Sequence, residues 1–86
     1  MSEQNQAVIR ADSMQAAYFR AFLADERADL QRYLGEHVTR LQGCMTVGST
    51  RLVSHHRRCI RTTENQIRHV DSMLARLDRR FPRARH

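Results

Sequence analysis

Apolar residues recur every seven positions through the second half of the chain: Val53, Ile60, Ile67, Leu74 and Phe81. A second series, His56, Thr63, Val70 and Leu77, interleaves with the first at the same spacing. An α-helix turns once per ~3.6 residues, so two interleaved seven-residue series trace one stripe along its surface, the a and d seam of packed helices. The pattern predicts a helix over about residues 50–80. Ser49 or Thr50 is its expected N-cap. Pro82 bounds it, because the residue before a proline is driven out of helical geometry.

The first half is helical but less regular. At about 100° per residue, Val8, Ala16, Phe19, Phe22, Leu23, Leu30, Tyr33, Leu34 and Leu41 fall on one broad face. This predicts a helix over about residues 5–42, with an early start preferred to one at the Asp12/Gln15 capping box. Glu26 and His37 interrupt that apolar face, as Thr63 interrupts the second seam. Polar seam residues set register and partner at some cost in stability, and Glu26 is expected beside Gln66 or Arg68.

The predicted connection is Gly43-Cys44-Met45-Thr46-Val47-Gly48-Ser49. A loop this short makes the helices antiparallel neighbours. It sets Leu41 opposite Leu52, His37 opposite His55 or His56, Leu30 opposite Thr63, and Phe19 opposite Leu74. The expected fold class is therefore all-α, a long antiparallel two-helix hairpin forming one domain over residues 1–86, loose at about 1–6 and 82–86. A bare hairpin of this length leaves apolar surface wet. The chain is accordingly expected to dimerise into a four-helix bundle, or to join another helical protein, through Val53, His56, Ile60, Thr63, Ile67, Val70, Leu74 and Leu77.

Composition sharpens this picture. Three glycines and one proline in 86 residues favour helix over sheet. All fifteen basic residues are arginine, and the net charge is +6. The charge is uneven: residues 1–50 hold five arginines against six acids, and residues 51–86 hold ten against three. On the second helix Arg57, Arg58, Arg61, Arg68, Arg76 and Arg79 turn away from the seam, with Ser54, Asn65, His69 and Ser72 between them. Guanidinium forks on a rigid rod suit phosphates or carboxylates. These six are the candidate contacts to nucleic acid or an acidic protein surface. No aromatic residue is interleaved, which argues against a single-strand stacking platform. No helix-turn-helix, zinc-finger or ribonucleoprotein spacing points to base specificity.

Other chemistry is sparse. There is no Gly-rich phosphate loop, no Gly-x-Ser-x-Gly and no second carboxylate placed opposite Glu26, so no catalytic residue, cofactor or small-molecule substrate is assigned and the chain is read as a non-enzyme. His37, His55, His56 and Cys59 gather near the turn and have the donor types a soft metal ion takes. The His-His-Arg-Arg-Cys stretch resembles copper-sensing helical repressors over five residues, but Leu30 stands where those proteins supply a further cysteine. Without a CxxC or HxxxH frame, no metal is expected. Two cysteines with no secretory-type N-terminal segment point to reduced thiols in a cytoplasm. The longest apolar run is four residues, Ala21 to Ala24, against the ~20 of a membrane span.

The combined expectation is a small binding or regulatory protein, a dimeric hairpin with an arginine-rich face. The alternative is a structural or adaptor subunit, an accessory or phage-type inhibitor protein, that binds a partner protein through its coiled-coil seam. A metal-responsive regulator comes third.

Overall fold

The computed structural model describes residues 3–82 and contains two helices, α1 (Glu3–Val47) and α2 (Thr50–Arg80), folded into an antiparallel hairpin. Its extents are 68 × 20 × 16 Å. The long dimension is that of a straight α1, since 45 residues rise ~1.5 Å each.

α2 has the predicted bounds. Ser49 is its N-cap, with extended backbone, and the Ser49 carbonyl accepts the first helical bond from Val53 N–H at 3.0 Å. At the other end Phe81 N–H donates to Leu77 O at 2.7 Å, and the helix ends before Pro82. α1 is longer than predicted at both ends, and the seven-residue loop contracts to Gly48 and Ser49. Gly43 stays helical because one glycine in a helix interior costs only ~1 kcal/mol. Thr39 and Thr46 donate their hydroxyls back to the carbonyls of Gly35 and Gln42. Asp12 and Gln15 are interior to the helix and cap nothing.

Gly48 makes the reversal. Its φ is +80°, the left-handed region that costs a residue with a Cβ ~1–2 kcal/mol. Gly48 N–H and Ser49 N–H both donate to Cys44 O, at 2.9 and 3.2 Å, closing the last turn of α1 with a glycine C-cap. Gly48→Ala should therefore lower stability by about 1 kcal/mol. Gly35→Ala, whose Cβ meets open space, should raise it by a similar amount. Urea unfolding followed by circular dichroism checks both signs.

Between the helices lie all eight seam residues of α2. His56, Thr63, Ile67 and Val70 are buried, and Val53, Ile60, Leu74 and Leu77 are half-buried. α1 answers with its own heptad: Ala16, Leu23, Leu30, His37 and Cys44 alternate with Arg20, Arg27, Leu34 and Leu41, and only these positions of α1 are buried or half-buried. Val8, Phe19, Phe22 and Tyr33, expected inward, are exposed. The broad apolar face of α1 is rotated so that Arg20 and Arg27 take seam positions instead.

Those arginines reach across to carboxylates. Arg20 Nε donates to Asp78 at 2.8 Å, and its Nη2 to Phe81 O at 2.8 Å. Arg27 Nε donates to Asp71 at 2.6 Å. The hydrogen bond to Asp71, then its charge, raises the Arg27 pKa above the ordinary arginine value. The stems lie along the seam while the charged heads reach its edge, so one edge of the hairpin is closed by two ion pairs seven residues apart on each helix.

Candidate functional site

The arginine face is built by the same heptad that builds the core. With a, d and the flanking Asp71 and Asp78 turned to α1, the remaining arc of α2 faces solvent. Arg57, Arg58, Arg61, Arg68, Arg76 and Arg79 are all exposed. They fall within a sector of about 100° along about 33 Å of helix. Among the described residues the three ion pairs are Arg20–Asp78, Arg27–Asp71 and Arg32–Asp29, and none uses an α2 arginine. Arg68 donates to the Asn65 side chain. Glu64 is the remaining carboxylate of α2, and it lies at the margin of the same sector.

Near the turn, His37 and His56 are 4% and 9% exposed, with their Nδ1 atoms 2.9 Å apart. A hydrogen bond between two imidazoles requires one ring to donate from Nδ1 and the other to accept there. Two facing N–H groups would break it. Desolvation first, then the nearby positive groups His55, His37 and Arg40, lower the His56 pKa below the ordinary 6.5. As pH falls through 6.5 the unfolded chain takes up a proton that folded His56 refuses, so stability declines from that point down to the lowered value. Urea midpoints between pH 7.5 and 5.5 should show this loss. The His37→Leu/His56→Leu double variant removes both partners together and should flatten the slope.

His55 and Cys59 form a separate contact, Sγ to Nε2 at 3.8 Å. Among the described residues no three His, Cys, Asp or Glu side chains are arranged to hold a metal ion. Both cysteines are free and half-buried. Thr63 is 1% exposed and donates its hydroxyl to Cys59 O at 2.8 Å. Among the described residues no buried side-chain nitrogen or oxygen lacks a partner.

Glu26 has its expected neighbour Gln66, with which it lines an open groove beside Leu30 and His69, but it is exposed and not inside the seam, and Arg68 lies outside the groove. That groove shares Leu30, Thr62 and Gln66 with another holding Tyr33 and Cys59. A third, almost wholly apolar and about 470 Å³, lies between Phe19, Phe22, Leu23, Met73 and Leu77. Sequence reasoning misses this open face because it places these aromatics in the core. The readable signal is the matching seven-residue spacing of Arg20/Arg27 and Asp71/Asp78, which fixes the orientation of α1. Among the described residues no helix is long and apolar enough to cross a membrane. In comparison with known proteins, the chain matches no family model, no curated protein and no solved structure.

Proposed function

We propose that this protein is a non-enzymatic binding module, a dimeric helical hairpin whose α2 arginine face docks on a polyanion, nucleic acid before an acidic protein surface. One observation carries the reading. The two acids that could neutralise α2, Asp71 and Asp78, are committed to Arg27 and Arg20 of α1, which leaves six guanidinium groups on the outward face with Glu64 alone beside them. Phosphates recognised this way are read as backbone charge, so binding is independent of base sequence. The grooves are open surfaces and not enclosed clefts, which suits docking better than catalysis.

Fluorescence anisotropy with a labelled DNA duplex tests the reading. Affinity should fall steeply between 50 and 200 mM salt, as counterion release requires, and be indifferent to duplex sequence. Absence of binding at low salt would end it. Binding to polyglutamate alone would move the target to an acidic protein. The adaptor alternative, expected to work through the seam, would instead use the exposed Phe19, Phe22 and Tyr33, because the seam is packed against α1. It would be favoured if the purified chain aggregates by light scattering until a helical partner is supplied.

A further inference from the structure

The two edges of the hairpin differ. One is closed by the Arg20–Asp78 and Arg27–Asp71 pairs. The other lies open along its length, with Phe19 and Phe22 towards the chain ends, Glu26 at mid-length and Tyr33 near the turn. The chain exposes 7093 Å², against about 5,300 Å² for a compact folded chain of its mass. The excess, about 1,800 Å² by that scaling, belongs to the rod as a whole, and covering one long side of it would supply the ~800 Å² each partner gives to a standard interface.

We infer that this open face is occupied by a second copy of the chain, related by a two-fold axis parallel to the helices, so that each α1 lies over the α2 of the partner subunit with both turns at the same end. The inference rests on the dimer of the proposed function and moves its contacts from the α2 seam, which is packed against α1 of its own chain, to the open face.

Symmetry and charge select the arrangement. A two-fold parallel to the helices keeps every residue at its own level, so the cross-chain register repeats the one within the hairpin. Glu26 shares a groove with Gln66 and His69 of its own chain, and the axis sets it against Gln66 of the partner subunit, whose amide can donate to a carboxylate. Phe19 and Phe22 share a groove with Met73, and they meet the partner's Met73. All adjacent helices run antiparallel, as in an up-down four-helix bundle.

The competing two-fold, perpendicular to the helices, stacks α1 on α1 and α2 on α2. It brings Glu26 against its own copy and sets two helices of eight arginines and three acids each side by side. Like charges at such contacts oppose association. In the parallel arrangement the two α2 helices are diagonal, each beside an α1 with five arginines and six acids. Arg58 and Arg76 line the grooves that the second copy covers, whereas Arg57, Arg61, Arg68 and Arg79 line none of them, so the bundle keeps a four-arginine face on each of two opposite sides.

The test uses full-length protein with Cys44 and Cys59 replaced by serine, helicity being checked by circular dichroism. One tagged preparation carries Glu26→Cys and another Gln66→Cys. Mixed and oxidised, they should give a disulfide-linked heterodimer, whereas oxidised Glu26→Cys alone should stay uncrosslinked. A Glu26→Cys homodimer, or no heterodimer, overturns the arrangement. Sedimentation of wild type should give twice 10.1 kDa, and Phe22→Asp should return it to the monomer mass with helicity unchanged, because Phe22 is 52% exposed in the single hairpin. A dimer that survives Phe22→Asp overturns this face and leaves the dimer standing. A monomeric wild type overturns both, and the arginine face is judged separately by its salt dependence.

Discussion

Arg61→Glu/Arg68→Glu should reduce duplex binding on the order of 100-fold at low salt and lower the slope of log affinity against log salt by about 2, since each phosphate left unneutralised takes ~0.9 from the slope. Both arginines are exposed, and no described ion pair uses them. Helicity should therefore survive. The decisive control is Arg10→Glu/Arg32→Glu on α1, which changes net charge by the same amount away from the face. If both variants lose binding equally, the protein responds to total charge and the face has no special role. If only the α2 variant loses it, the stripe is the site. Arg57→Glu/Arg79→Glu should behave like the first pair, because those arginines occupy the same sector at the two ends of the stripe.

Ile67→Ala should cost about 2–4 kcal/mol, the range for truncating a large aliphatic side chain in a packed seam. Ile67 is 7% exposed, and among the described residues the buried apolar ones are few: Ala16, Leu23, Ile67 and Val70. A domain of ordinary stability holds ~5–15 kcal/mol, so one such change removes a large share. Val8→Ala, on the exposed side of α1, should fall within about 0.5 kcal/mol of wild type. Urea titration at one protein concentration measures both, since the stability of any oligomer depends on concentration. Equal effects at the two positions would mean that α1 packs on its Val8 side.

Residue order alone is enough for α2. Its heptad, its start after Ser49 and its end before Pro82 are local or strictly periodic, and they need no partner to be read. The arginine face follows from the same periodicity: once Val53, Ile60 and Ile67 point inward, Arg57, Arg61 and Arg68 must point out. The antiparallel register that sets His37 opposite His55 or His56 also follows, because a connection of a few residues leaves little freedom, and the structure selects His56. The turn itself reads as too long. Gly43 and Gly48 are the same residue in a hydropathy pattern, yet one continues a helix and the other ends it. The Cys44 carbonyl and the positive φ of Gly48 distinguish them, and neither is visible before the chain folds.

The orientation of α1 requires three-dimensional packing. Arg20 and Arg27 register as polar in any hydrophobicity pattern, while Phe19, Phe22 and Tyr33 register as core. Side-chain size alone therefore turns the helix the wrong way. Asp78 and Asp71 stand at the matching levels of α2 and pair with the arginines at the edge of the seam, where the guanidinium heads are neutralised and the stems stay covered. Glu26 moves out with the aromatics for the same reason. Periodicity reports which residues share a stripe. It cannot report which flank of a broad stripe faces the partner, because that shows only in contacts between residues 44 and 58 positions apart in the chain.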